Sequence, residues 1–108
     1  MTTIEEISVQ QLKEKMDKQE SFILIDVREP HEFELCKIEG AILIPLGSLE
    51  SELSQLDKSA DYVIQCRLGG RSAKGVEMMK KKGFESVVNL AGGITKWAQE
   101  IEPSMPTY

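Results

Sequence analysis

The segment Cys66-Arg67-Leu68-Gly69-Gly70-Arg71-Ser72 gathers a thiol, two guanidinium groups, paired glycines and a hydroxyl. The thiol is the soft nucleophile of the set, and it reacts as the thiolate. Glycines at 69 and 70 let the chain curl tightly enough for successive backbone N–H groups to point at one centre. Arg67 and Arg71 add full positive charge around that centre, and a helix starting near Ser72 adds its N-terminal dipole. A thiol so placed is expected to have a pKa well below the free value of ~8.5 and to be a nucleophilic thiolate near neutral pH. The plainer alternative is an inert cysteine at the end of a core strand. The Gly-Gly-Arg-Ser sequel favours the reactive reading.

A strand must deliver the thiol and a helix must follow it. Tyr62-Val63-Ile64-Gln65 reads as that strand, and a helix is expected from about Ser72 to Lys82. Gly83 is its expected left-handed cap, with Phe84 folding back on Met79. Phe22 to Val27, Ala41 to Ile44 and Val87 to Leu90 read as further strands whose continuous apolar runs suit burial on both faces. A short strand is expected around Glu5 to Ile7. Ser8 and Gln11 have capping-box spacing, and Ile7 and Leu12 that of a hydrophobic staple, so a helix should follow Ser8. Pro30 suits the first position of a short helix through Phe33 and Leu35. Leu49, Leu53 and Leu56 mark a helix beginning near Ser48, and a last helix after Gly92-Gly93 contains Ile94 and Trp97. The proline-broken tail Glu102 to Pro106 should be irregular. Strands alternating with helices imply one α/β unit over residues 1–108, a parallel sheet of four to five strands with helices on both faces. The functional edge of such a sheet is at the carboxyl ends of its strands.

Composition narrows the class. The 108 residues carry 13 Lys plus Arg against 18 Asp plus Glu, a net charge of −5. That is a poor balance for a nucleic-acid binder. No apolar run approaches the roughly 18 residues of a membrane span, and Met1 to Glu6 has no export-signal pattern. Two cysteines do not make a disulfide scaffold, so reduced thiols in a cytoplasm are expected. The charge is uneven: residues 1–61 hold 14 acids and 6 bases, a balance of −8, and residues 62–108 hold 4 acids and 7 bases, a balance of +3. Lys80, Lys81 and Lys82 in the second half read as a solvated helix face, with steering of an acidic partner the less favoured alternative. Arg67, Arg71 and Lys74 crowd around the cysteine.

Taken in order, Asp26-Val27-Arg28-Glu29 with Glu32-Phe33, Gly40-Ala41, Ile44-Pro45, the Cys66 segment, Leu90-Ala91-Gly92-Gly93-Ile94 and Trp97 resemble a single-domain rhodanese nearly end to end. The ending Trp97, Pro103 and Pro106-Thr107-Tyr108 is similar to the rhodanese modules attached to adenylating enzymes of sulfur-carrier activation. The resemblance implies a rhodanese-like fold, with Cys66 carrying sulfur as a persulfide and residues 67–72 cradling it. Sulfur would come from a small anionic donor such as thiosulfate and pass to cyanide, a thiol or a carrier protein, in two half-reactions. It further implies that Asp26 and Arg28 brace the loop; a helix cap and a surface charge are the equal alternative. No metal or organic cofactor is called for, and His31 reads as a surface residue.

Two alternatives stay beside it. One is a sulfur-relay or binding module serving a protein partner. The other is a cysteine-dependent phosphatase or arsenate reductase, which shares the strand, Cys, loop, Arg and helix. Those enzymes place five residues between Cys and Arg, whereas four, residues 67–70, stand here. Cys36 falls in Cys36-Lys37-Ile38-Glu39-Gly40, where the family usually has a histidine. A packed or surface thiol is expected there rather than a resolving cysteine.

Overall fold

The computed structural model describes residues 4–108; Met1 to Thr3, part of the segment read for an export signal, lie outside the described residues. The element order is β1 (Glu6–Ile7), α1 (Val9–Asp17), β2 (Ile23–Asp26), α2 (Pro30–Leu35), β3 (Ile42–Leu43), α3 (Leu46–Glu52), β4 (Asp61–Gln65), α4 (Gly70–Lys81), β5 (Ser86–Leu90) and α5 (Gly93–Glu100). The five strands form one parallel sheet in the order β1-β5-β4-β2-β3. The central strand β4 is therefore the one that leads directly into Cys66.

Each face of the sheet is covered by its own core. Ile25, Ile64 and Cys66 pack with Leu49 and Leu53 around α3 and with Val76 and Met79 of α4. Leu24 and Val63 face the other way, onto Val9 and Leu12 of α1, Cys36 and Ile38, and Ile94 and Trp97 of α5. The period-two alternation of strand side chains produces this division.

The local signals account for most helix ends. Ser8 Oγ accepts the Gln11 N–H at 3.0 Å while Gln11 Oε1 accepts the Ser8 N–H at 2.7 Å, closing the capping box. Pro30 is the first residue of α2. Gly83 has φ +95° and follows α4; its N–H donates to the Lys80 carbonyl and that of Phe84 to the Met79 carbonyl, the paired bonds of a Schellman motif. Two starts differ from expectation. Helix α3 begins at Leu46 rather than near Ser48, and α4 begins at Gly70 rather than Ser72. The Leu46 N–H is held by the Val27 carbonyl, a contact from a distant strand end that no periodicity reports.

Candidate active site

Cys66 follows β4 directly and is 1% exposed. The chain then turns through Arg67 and Leu68 to Gly69, whose φ of +113° makes it the left-handed cap of α4. The expected cradle is thus half loop and half helix: Arg67, Leu68 and Gly69 form the turn, while Gly70, Arg71 and Ser72 belong to the first turn of α4. The Gly69 N–H donates to Cys66 Sγ at 3.0 Å, and Ser72 Oγ stands 3.3 Å from the same sulfur. Burial pushes the Cys66 thiol up. Hydrogen bonds from the Ser72 hydroxyl and from the backbone N–H groups of Ser72, Gly69 and Leu68 outweigh it and leave the pKa below the usual thiol range.

The loop is fastened from behind by α5. The Ile94 N–H donates to the Cys66 carbonyl at 2.9 Å and the Thr95 N–H to the Arg67 carbonyl at 3.1 Å. These carbonyls thereby use donors that a helix N-terminus leaves free. Gly93 allows the approach, since a Cβ there would lie 2.4 Å from the Cys66 oxygen and 2.5 Å from that of Arg67.

The arginines are arranged differently from the sequence expectation, in which both surround the sulfur as free charge. Arg71 makes a two-pronged bond to Glu32 of α2, Nη1 to Oε1 at 2.7 Å and Nη2 to Oε2 at 2.9 Å. This bond raises the Arg71 pKa, burial opposes it, and the negative charges of Glu32 and Cys66 raise it further. Arg67 lies over the Tyr108 ring, 4.4 Å from its centroid. The low thiol pKa therefore rests on hydrogen bonds aimed at sulfur, with the guanidinium charges largely engaged by Glu32 and Tyr108.

Asp26 and Arg28 are both 0% exposed, so Arg28 is no surface charge. Arg28 grips the Asp26 carboxylate through Nε at 2.9 Å and Nη2 at 2.7 Å. It also donates to the Cys36 carbonyl at 2.7 Å and to Tyr108 Oη at 3.1 Å. Nor is Asp26 a helix cap: its carboxylate accepts the Arg28 N–H at 3.0 Å. The pair anchors the end of α2 to the sheet, and it is linked to Arg71 of the Cys66 loop through Tyr108 and Glu32. The Tyr108 O–H donates to Glu32 Oε2 at 2.8 Å, completing a chain Asp26–Arg28–Tyr108–Glu32–Arg71.

Glu32, Asn89 and Tyr108 were not singled out by sequence reasoning for the site. Glu32 stands in the Glu32-Phe33 fragment and Tyr108 in the Pro106-Thr107-Tyr108 ending without an assigned role, and Asn89 falls inside a strand just before the Leu90-Ala91-Gly92-Gly93 fragment. Cys36 is buried in the core opposite to that of Cys66. His31 is exposed on α2. Beside the loop lies an open groove of about 370 Å³ lined by Arg67, Leu68, Met105 and Tyr108 among others. Leu68, 65% exposed, stands at its edge.

Fold and loop together define a class. Residues 8–100 match the rhodanese-like domain family, and the chain belongs to it. YtwF of Bacillus subtilis, named a sulfurtransferase, is 39% identical over 100 residues, covering 93% of this chain and 96% of that protein. YrkF of the same organism, named a sulfur carrier protein, is 38% identical over 101 residues, covering 94% of this chain and 55% of YrkF. MOCS3-2 of Zea mays, named an adenylyltransferase and sulfurtransferase, is 32% identical over 109 residues, 94% of this chain and 23% of that protein. The chain thus spans about half of YrkF and under a quarter of MOCS3-2. Among solved structures, SSP1007 of Staphylococcus saprophyticus superposes with a TM-score of 0.83 at 34% identity, over 91% of this chain and 97% of that one. The family is one of sulfurtransferases and sulfur carriers, and sulfur transfer in this general sense is its chemistry. No helix among the described residues is long and apolar enough to cross a membrane.

Proposed function

We propose that Cys66 is the sulfur-carrying nucleophile of a sulfurtransferase that takes sulfane sulfur from a small anionic donor such as thiosulfate. The observation that carries this reading is the buried Cys66 sulfur facing the Gly69 N–H at 3.0 Å and the Ser72 hydroxyl at 3.3 Å. The thiolate lone pair attacks the outer sulfur of the donor; the S–S bond breaks and its electron pair leaves on sulfite. Cys66 then holds a persulfide whose negative charge the loop donors stabilise, as oxyanion holes stabilise oxygen. A second nucleophile, cyanide in an assay or a thiol or carrier protein in the cell, removes the outer sulfur and regenerates the thiolate. Two free cysteines fit a reducing, cytoplasmic setting.

The occupied state of Arg71 favours sulfur over phosphate, because a guanidinium already bonded twice to Glu32 is poorly free to clasp a dianion. A relay role toward a sulfur-carrier or adenylating partner draws support from relatives named for those activities.

The test is intact mass after incubation with thiosulfate and removal of the donor. A gain of one sulfur atom, reversed by reductant and absent in Cys66→Ala, is expected. A protein that gains nothing yet hydrolyses an aryl phosphate refutes the assignment. Ready loading with slow transfer to cyanide selects the relay role.

A further inference from the structure

Asn89 lies in β5, apart from the Cys66 loop in sequence, and is 1% exposed. Its Nδ2 donates to Glu6 Oε2 at 2.9 Å and to the Gly69 carbonyl at 3.2 Å. Both partners are acceptors only, which sets the amide with its nitrogen toward them and its oxygen toward Ser72. Asn89 Oδ1 stands 2.5 Å from Ser72 Oγ, and the same Oγ stands 3.3 Å from Cys66 Sγ. Ser72 is 0% exposed. Its hydroxyl has one hydrogen and two acceptors within reach.

We propose that Asn89 is a positioning residue that holds the Ser72 hydroxyl hydrogen while the Cys66 sulfur is uncharged and releases it to the sulfur when the sulfur is anionic. In the thiol, S–H donates to Ser72 Oγ and Oγ–H donates to Asn89 Oδ1, so every buried group is paired. When the thiol proton leaves to solvent, the hydroxyl hydrogen turns to the thiolate and Asn89 Oδ1 goes without. When the thiolate lone pair bonds a transferred sulfur, the charge moves to the outer sulfur. Sγ is then divalent and neutral, and the hydrogen returns to Asn89. The hydrogen changes its acceptor and never leaves the serine, so the cycle requires no co-reactant beyond the sulfur donor. The inference rests on Cys66 being the nucleophile, but its readouts follow the thiolate itself and do not require sulfur transfer.

The charged groups bearing on this triad come from four directions. Arg71 of α4 senses the thiolate charge and is paired with Glu32 of α2. Glu6 of β1 stands behind Asn89, and Arg67 lies over Tyr108. None of them accepts from Ser72, so the competition for its hydrogen is between Asn89 and sulfur.

The consequence has an unusual sign. Ser72→Ala removes a donor to the thiolate and should raise the Cys66 pKa, whereas Asn89→Leu removes the competing acceptor and should lower it by about one pH unit. Thiolate ultraviolet absorbance against pH reads both. In a Ser72→Ala background Asn89→Leu should shift nothing further. A rise in Asn89→Leu, or an equal shift with and without Ser72, overturns the proposal, since a merely structural asparagine would loosen the Gly69 turn and raise the pKa in either background. Should Asn89→Leu not fold, the unaltered protein decides: the Asn89 side-chain ¹³C resonance must titrate with the thiolate midpoint and cease to do so in Ser72→Ala. A resonance that ignores the thiolate refutes it.

Discussion

Gly93→Ala isolates the fastening of the nucleophile loop. Gly93 has φ +59°, and an added Cβ would stand 2.4 Å from the Cys66 oxygen and 2.5 Å from the Arg67 oxygen. Both obstacles are backbone, so no rotamer change relieves them. Merely reaching 3.0 Å moves the Cys66 oxygen by about 0.6 Å, which stretches the 2.9 Å bond from the Ile94 N–H to the limit of hydrogen bonding. The left-handed conformation costs about 1 kcal/mol for alanine, the overpacking about 1–3 kcal/mol, and the weakened bonds about 1 kcal/mol. The expected loss is about 4 kcal/mol. Gly40 supplies the internal control, with φ +89° and nothing within 4 Å of its virtual Cβ. Gly40→Ala should therefore lose only the conformational part, about 1 kcal/mol. Urea unfolding of both variants, with the Cys66 thiolate titrated alongside, tests the comparison. Gly93→Ala should fall about 3 kcal/mol below Gly40→Ala, with its thiol pKa raised as the donors drift from sulfur. Equal losses in the two variants, with an unchanged thiol, would refute the clamp.

Asp26→Asn leaves the guanidinium of Arg28 buried without its counter-charge and should cost about 3–5 kcal/mol in urea unfolding; a loss below about 1 kcal/mol would mean that Arg28 escapes to solvent. For Glu32, the Arg71 bond chiefly holds the carboxyl far below the usual carboxylate range against the opposing effect of burial. Its folded pKa is depressed, so the stabilisation is fully present above the unfolded value of about 4.3 and fades as pH falls toward the folded value. The stability gap between the parent protein and Glu32→Gln should accordingly be constant from pH 6 to 8 and narrow below about pH 4; a gap that widens on acidification contradicts the pairing. Cys36→Ser should retain sulfur loading at Cys66, because the two thiols belong to opposite cores. A loss matching that of Cys66→Ala would show that Cys36 takes part.

Local information carried much of this structure into the sequence. The Ser8 box, the Pro30 start and the Gly83 cap are satisfied by neighbours within five residues, so their geometry could be read directly. The parallel sheet followed from alternating strand and helix patterns, and the position of Cys66 at its carboxyl edge followed in turn. The network around the thiol did not. Glu32 meets Arg71 across 39 residues, Tyr108 meets Arg28 across 80, and Asn89 meets Glu6 across 83. Such pairs form because the topology brings strand ends together, and charge or hydrogen-bonding capacity in one segment does not name its partner. Arg67 and Arg71 show the effect most clearly: their number and place were legible, but the groups that engage them were not.

The hydrogen bonds from α5 to the Cys66 and Arg67 carbonyls also order events during synthesis. The cysteine leaves the ribosome well before the helix that secures its loop, and β1, an early strand, must wait for its sheet neighbour, β5, made after residue 85. Long-range pairings of this kind close late because the intervening chain must first be ordered. A nascent chain halted before Gly93 can pair β4 with β2, yet it has neither the Ile94 donor nor the Thr95 donor. The fastening of the Cys66 loop is therefore completed only after the strand that carries it has been made, and a chain halted there holds the Gly69 and Ser72 donors without the clamp from α5.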